Sequence, residues 1–216
     1  LPELSGRLFS HVRKEEITAV GVSTRPRAVE GSYMPCFYVG FSHAKMLADL
    51  LGVPMIEVSH QQGHVAAALW SADRMDLMNK PHLAWHLSGG TTELLLVEPE
   101  GRNVKCTRIG GTTDISAGQL IDRTGQLLQL PFPSGRHLDE LSRQAQEDAV
   151  FRVKCPDLEF SLSGVQNKVQ QFHDQQKNPA ETAAYALRCV AMAVSQATAN
   201  ACRTYPGLRV VFSGGV

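Results

Sequence analysis

The stretch "LAWHLSGGTTELLLVEPEGRNVKCTRI", residues 83–109, decides the fold class. It contains three apolar runs, residues 83–87, "LLLVEP" and "VKCTRI", which are interrupted only by "SGGTTE" and "EGRN". Connections that short join neighbouring antiparallel strands. The stretch therefore predicts a three-stranded antiparallel meander.

The flanking segments predict helices and further strands. Helices are expected over residues 4–16, 39–51, from His60 onward, 116–129, 137–148, 165–173 and 180–205. Strands are expected over residues 17–23, 55–58 and 208–213. Hairpins and crossovers together indicate an α/β domain with a mixed sheet flanked by helices. We expect two lobes, residues 1–88 and 89–216, with segments missing at both ends.

Composition excludes several classes of protein. Of the 216 residues, 43% are hydrophobic, which is enough for a buried core, and 21 basic residues balance 21 acidic ones. A neutral chain has no overall field that attracts nucleic acid or an anionic membrane, so any RNA contact needs a local patch. No apolar run reaches the length of a membrane span. Five widely spaced cysteines without a C-x-x-C pair indicate a reduced, cytoplasmic compartment.

The stretch "SHQQGH", residues 59–64, carries a possible metal pair. On a helix that starts near His60, the side chains of His60 and His64 lie one turn apart and can share a metal ion. Two ordinary polar helix residues are the alternative. A metallopeptidase of the H-E-x-x-H type is disfavoured, because Gln61 stands where the glutamate base is needed and an amide cannot take a proton from water.

Two glycine turns suggest a phosphate site. In "HLSGGTTEL", Gly89 and Gly90 let an anion approach backbone N–H groups, and Ser88 adds a hydroxyl. The terminal "SGGV" again follows a strand, and two such turns in one chain favour an adenylate or phosphate cleft, with plain hairpin turns as the alternative. In residues 110–135, Asp122 could accept hydrogen bonds from ribose hydroxyls, and Gly135 could let a loop lie against a sugar or base. A solvated helix face is the alternative for Asp122.

Several motifs resemble one family in collinear order over residues 24–216. They are "STRPRAVEGSYMPCFYVGFSHAKMLADLLGVPMIEVSHQQGH", "HLSGGTTEL", "GTTDISAGQLIDRTGQLLQLPFPSG", "FSLSGVQNKV" and "VVFSGGV". They resemble the TsaD family, the tRNA threonylcarbamoyladenosine transferase subunit. The resemblance implies the actin and Hsp70-like ATPase fold. It also implies transfer of a threonylcarbamoyl group from its adenylate to N6 of adenosine 37 in tRNAs that read ANN codons.

The resemblance also implies site residues and partners. The implied ligands of iron or zinc are His60 and His64. The residues implied to line the adenylate phosphate are His86, Leu87, Ser88, Gly89 and Gly90. Those implied to hold the nucleoside are Asp122, Gly135 and Asp139. The implied partners are tRNA and the other subunits of the transfer complex. Arg25, Arg27 and Lys45 are candidate RNA contacts, and the sequence leaves the oligomeric state open, a dimer included.

Three departures from the family pattern keep a second hypothesis open. Gln62 replaces the glutamate of H-x-E-G-H, and Thr91 replaces the histidine of S-G-G-H-T. The family's D-D-A-A-G-E run is "DISAGQ" here, which ends at Gln119. The alternative to a transferase is therefore a non-catalytic paralogue that binds nucleotide and acts as a scaffold or regulatory partner.

Overall fold

The computed structural model describes residues 2–216, except for the side chain of Pro2. Within this range the α-helices are α1 Pro2–Phe9, α2 Cys36–Leu51, α3 His60–Ser71, α4 Ala117–Leu127, α5 Gly135–Ser142, α6 Ser163–Gln176 and α7 Pro179–Thr204. The β-strands are β1 Val20–Arg25, β2 Met55–Ser59, β3 His82–Leu87, β4 Thr92–Glu100, β5 Asn103–Thr112, β6 Glu159–Phe160 and β7 Val210–Gly214. Short 3-10 helices span Lys14–Glu16 and Met75–Asn79. None of the described helices is both long and apolar enough to cross a membrane.

The chain forms two compact units. The first comprises the chain up to Asn79 together with the hairpin tip Pro99–Cys106. The second comprises Lys80–Glu98 and Thr107–Val216. Strand β3 therefore belongs to the second unit. The predicted division of the chain into lobes of residues 1–88 and 89–216 stays a prediction.

The first unit is built on a parallel strand pair. Strands β1 and β2 pair in register from Val20 opposite Met55, and helix α2 connects them and packs against both. Helix α2 ends where predicted, because Gly52 adopts φ 65° and its N–H donates to the last carbonyls of the helix. Helix α3 then starts directly at the carboxyl end of β2.

The second unit contains a five-stranded mixed sheet in the order β6-β5-β4-β3-β7. Strands β3 and β4 pair antiparallel, whereas β3 with β7 and β5 with β6 pair parallel. The core under the sheet includes the fully buried Trp85, whose indole N–H donates to Thr198 Oγ1 of α7 at 2.8 Å. The alanine-rich face of α7, which includes Ala193 and Ala197, leaves room for the large ring of Trp85.

These elements confirm the mixed α/β fold class and the meander, and they correct two helices. The helix predicted over residues 4–16 ends at Phe9, where the Ser10 hydroxyl donates to the Arg7 carbonyl and competes with helical bonding. The helix predicted over 137–148 ends at Ser142, because the Glu181 carboxylate accepts the backbone N–H of Gln146 instead. The two-residue strand β6 was not predicted, since it is too short to carry a pattern.

Candidate functional site

In the first unit, the start of α3 brings two histidine rings together. The Nε2 atoms of His60 and His64 are 2.9 Å apart, and the ring centroids are 4.3 Å apart. The spacing prediction of one helical turn thus corresponds to real proximity. Among the described residues, no group of three or more His, Cys, Asp or Glu side chains could hold a metal ion.

The pair is suited to supply two ligands to a divalent metal. Two nitrogens bound to one zinc ion at tetrahedral angles lie about 3.3 Å apart, given bonds of about 2.0–2.1 Å. The observed 2.9 Å separation needs only a small adjustment of the rings to reach that value. Burial, and then the neighbouring charge of His60, lower the pKa of His64. A lowered pKa keeps the imidazole neutral near pH 7, which is the form that binds metal.

Gln62 lies between the histidines and fixes the start of their helix. Its backbone N–H donates to Ser59 Oγ, and its Oε1 accepts from the Ser59 N–H at 2.8 Å, which is a capping box. Its Nε2 also donates to the Val104 carbonyl at 2.7 Å, so the buried amide uses both of its ends. A glutamate could form the capping box equally well, but an ionised one could not donate to Val104.

In the second unit, the glycine turn after β3 is fixed against the N-terminus of α4. Ser88 and Thr91 close the turn, since the Ser88 N–H donates to the Thr91 carbonyl at 2.8 Å. The Ser116 hydroxyl donates to the Gly89 carbonyl at 2.6 Å. A Cβ on Gly118 would stand 2.5 Å from the Gly89 Cα, so only glycine permits this approach. The turn therefore lies at the positive end of a helix, where anions bind.

The second glycine turn lies beside the first. Strand β7 pairs parallel with β3, with Gly214 opposite Leu87, so both strands deliver their carboxyl ends to one edge of the sheet. Gly214 adopts φ 126°, and a Cβ there would overlap the Leu87 carbonyl. Ligands of open α/β sheets bind at such carboxyl edges.

A cavity of about 570 Å³ opens beside these turns within the second unit. It is lined by Gly89, Gly118, Ile121, Asp122, Pro133, Gly135, Arg136, Asp139, Leu187, Gly215 and Val216. Four of the eight predicted substrate-binding residues thus line one cavity: Gly89, Asp122, Gly135 and Asp139. The other four lie in β3 and its turn and are not part of the lining: His86, Leu87, Ser88 and Gly90.

Both carboxylates of the cavity have defined positions. Asp122 on α4 accepts the Ser134 N–H on Oδ1 at 2.9 Å. Ser134 itself fits under α4 only because Gly125 has no side chain, since a Cβ there would overlap it. Asp139 on α5 forms an ion pair of 2.6 Å with Arg143 one turn later. Each carboxylate has two oxygens, so each can still accept a hydrogen bond from a ribose hydroxyl.

Sequence reasoning missed the residues that hold the N-terminus of α4. Ser116 and Gln119 form a second capping box, for which the S-x-x-Q spacing was a readable signal. Burial alone would raise the pKa of Asp114, but hydrogen bonds from the hydroxyls of Ser161 and Ser163 and from two backbone N–H groups outweigh it and hold that pKa well below its usual range. The ionised Asp114 thereby ties the loop before α4 to the start of α6.

Known proteins of one family are similar to this chain in sequence. The family model described as TsaD, tRNA N6-adenosine threonylcarbamoyltransferase, matches residues 8–216. A tRNA N6-adenosine threonylcarbamoyltransferase of Streptococcus suis (strain 05ZYH33) is 34% identical over 218 residues, which are 97% of this chain and 61% of that protein. One of Streptococcus pneumoniae (strain Hungary19A-6) is 32% identical over 214 residues, with 95% and 60% covered.

A solved structure supports the fold. The crystal structure of T. kodakarensis HypF matches 99% of this chain and 37% of its own, with a TM-score of 0.67 and 12% identity. The likeness confirms the predicted actin and Hsp70-like ATPase fold. This chain spans about 60% of the length of the curated relatives it matches. Since the family model covers nearly all of its residues, the chain belongs to the TsaD family of tRNA N6-adenosine threonylcarbamoyltransferases.

Proposed function

We propose that the protein transfers a threonylcarbamoyl group from threonylcarbamoyl adenylate to N6 of adenosine 37 in tRNAs that read ANN codons. The observation that carries this proposal is the cavity of the second unit. Two glycine turns border it at the carboxyl ends of parallel strands, and Asp122 and Asp139 line it. This arrangement suits a phosphate joined to a nucleoside, and the chain belongs to a family named for this transfer.

Each part of the cavity has a separate task in this proposal. The N-terminus of α4 and the turn at Gly89 offer positive backbone groups to the phosphate of the adenylate. Asp122 and Asp139 accept hydrogen bonds from the ribose hydroxyls. Gly135, the first residue of α5, lets the backbone lie close to the sugar. Bound in this way, the adenylate presents its carbonyl carbon in one orientation, which lowers the entropic cost of attack.

The transfer itself needs no nucleophilic side chain. The N6 nitrogen of adenosine forms a bond to the carbamoyl carbon, the bond from that carbon to the phosphate oxygen breaks, N6 loses a proton, and AMP leaves. His60 and His64 would hold an iron or zinc ion together with a ligand beyond those identified. When bound, such an ion supplies Lewis-acid polarisation of the carbonyl.

The proposal extends to the cell compartment and to the partners of the protein. All five cysteines are free thiols, and two of them, Cys155 and Cys189, are buried, which suits a reducing cytoplasm. The net charge is zero, so RNA affinity has to come from local groups and from partner subunits of the transfer complex. Of the candidate RNA contacts, Lys45 already forms an ion pair with Asp49 at 2.6 Å.

A non-catalytic, nucleotide-binding paralogue is the second candidate. The observation that favours it is Thr91, where the resembling family has histidine. Its backbone closes the turn with Ser88, but a hydroxyl cannot replace an imidazole in proton transfer or metal binding. Gln62 and Gln119 do not favour this candidate, because both form the capping boxes that glutamate would form.

One assay tests the transferase. The purified protein is incubated with threonylcarbamoyl adenylate, its partner subunits and an ANN-reading tRNA, and the modified nucleoside is measured by mass spectrometry after digestion. A tRNA with guanosine in place of adenosine 37 is the matched control. We expect modified adenosine only with the first tRNA.

Calorimetric titration with the adenylate, run in parallel, separates the two candidates. Adenylate binding without any transfer to tRNA would contradict the transferase and support the paralogue. Absence of adenylate binding would contradict both, because both rest on the cavity of the second unit.

A further inference from the structure

The first unit contains a pocket of its own, which the proposed transfer does not use. Its volume is about 250 Å³, and three aromatic side chains, Tyr33, Tyr38 and Phe41, line it. Two charged side chains, Arg25 and Glu57, are also part of the lining. The pocket therefore offers flat apolar faces together with one cation and one carboxylate.

The aromatic rings form a continuous edge-to-face series. The ring centroids of Tyr33 and Tyr38 are 6.0 Å apart, and those of Tyr38 and Phe41 are 6.4 Å apart, with interplanar angles of 69° and 67°. Tyr33 is 65% exposed and Tyr38 is 62% exposed. Large apolar faces left in water next to one another mark a binding surface.

The two charged groups are available to a ligand. Arg25 ends strand β1, and Glu57 lies within β2. Within the described residues, neither side chain has an ion-pair or hydrogen-bond partner. A guanidinium binds phosphate oxygens, and a carboxylate accepts the N–H of an exocyclic amino group on a base.

The pocket is connected to the histidine pair within the same unit. Phe37 immediately precedes Tyr38 on α2, and the ring centroid of Phe37 lies 5.7 Å from that of His60. The Gln61 N–H donates to the Pro26 carbonyl at 3.0 Å, which ties the loop after Arg25 to the start of α3. Arg25 of the pocket and His60 of the pair thus both stand at the carboxyl ends of the parallel strands β1 and β2.

We propose that this pocket binds an unstacked nucleobase with an exocyclic amino group from the RNA substrate. The base stacks on Tyr38, Glu57 accepts its amino N–H, and Arg25 binds the adjoining phosphate. Single-stranded RNA is recognised by this combination of an aromatic face, an edge acceptor and a backbone cation. An aromatic peptide side chain would satisfy the rings but would leave Arg25 without an anion. The assignment rests on the proposed function in that the ligand is RNA.

The test measures the affinity of the purified protein for a fluorescently labelled anticodon stem–loop RNA at fixed salt. Tyr38→Leu removes the stacking face and keeps apolar volume, whereas Tyr38→Phe keeps the ring. Trp70→Leu removes an aromatic side chain of the same unit that is 76% exposed and lies outside the pocket. Loss of one stacked base predicts a Kd about 10-fold higher for Tyr38→Leu, and a Kd within about twofold of wild type for the other two.

Equal Kd values for wild type and Tyr38→Leu would overturn the pocket assignment. A loss of affinity for a purified partner subunit with unchanged RNA affinity would overturn it as well, and would assign the pocket to a protein. Circular dichroism confirms that each variant is folded. If Tyr38→Leu is not folded, Arg25→Gln takes its place, because it removes the proposed phosphate contact, and an unchanged Kd for that variant would overturn the assignment. Failure of threonylcarbamoyl transfer with ring-dependent RNA binding would contradict the proposed function and leave this inference standing.

Discussion

The two candidate sites are held in place by different means. In the second unit, the glycine turns meet α4 and β3 through backbone atoms, and Gly118 and Gly214 leave no room for a Cβ. In the first unit, His60 and His64 stand on an exposed helix start whose geometry depends on the side chain of Gln62. One site is a consequence of close backbone packing, and the other is a consequence of side-chain hydrogen bonds.

This difference teaches which substitutions each site tolerates. The proposed phosphate site is made from backbone N–H groups and is present whenever the fold is present, so damage to it should be visible as a lower unfolding free energy. The two histidines of the proposed metal pair stand at a helix terminus, so they can be substituted without unfolding the chain. The following predictions test this contrast.

The largest loss of stability is expected from Gly214→Ala. The new Cβ would overlap the Leu87 carbonyl at a φ of 126°. Overpacking of this kind costs about 3 kcal/mol of unfolding free energy, measured by urea denaturation. The control is Gly215→Ala, where nothing lies within 4 Å of the added Cβ. Equal midpoints for the two variants would show that the contact between β7 and β3 is not tight.

A smaller effect is expected from the two capping-box glutamines. Gln62→Glu keeps the bonds to Ser59 but turns a carboxylate oxygen toward the buried Val104 carbonyl. An unsatisfied buried acceptor costs about 2 kcal/mol, and the deficit should shrink as pH falls and the carboxyl becomes protonated and can donate. Gln119→Glu changes the same helix position at an exposed site and should stay within about 0.5 kcal/mol of wild type.

Urea denaturation at two pH values measures the unfolding free energy of both variants. Similar unfolding free energies for Gln62→Glu and Gln119→Glu would mean that the Val104 bond contributes nothing. The first site would then depend on its side chains no more than the second does.

A third effect, smaller than that of Gln62→Glu, is expected at Asp114. Its pKa lies below the usual range, so the stability contributed by the ionised carboxylate is present above about pH 4 and is lost as pH falls through the folded pKa. Asp114→Asn should cost about 1 kcal/mol at pH 7, because the hydroxyls of Ser161 and Ser163 lose a charged acceptor. The difference from wild type should narrow below about pH 4. A constant difference across pH would contradict the depressed pKa.

Much of the fold could be predicted because its signals are local. The meander follows from apolar runs and short turns, and α2 ends at Gly52 because only glycine readily adopts the left-handed conformation there. The end of α5 could not be predicted, since it depends on Glu181, 35 residues away from Gln146 in the sequence. Contacts of that range leave no periodic signal in the sequence.

The candidate sites, like the fold, could be predicted where their signals are local in the sequence. Spacing alone predicts that His60 and His64 lie together. The stretch of residues 110–135 itself suggests Asp122, and the motif resemblance adds Asp139. Gly118 was missed because a glycine is needed there only for its close contact with Gly89, which is far from it in sequence. Gln62 departs from the family pattern, and the S-x-x-Q spacing also indicates its role as a helix cap.

The most direct test of the central claim, that the cavity of the second unit holds the nucleoside of the adenylate, compares Asp139→Asn with Glu140→Gln. Both carboxylates lie on α5 and pair with an arginine four residues away, but only Asp139 lines the cavity. Calorimetric titration with threonylcarbamoyl adenylate should give a Kd about 10-fold higher for Asp139→Asn, as expected for one lost charged hydrogen bond, and a nearly unchanged Kd for Glu140→Gln. Equal Kd values for the two variants would contradict the claim.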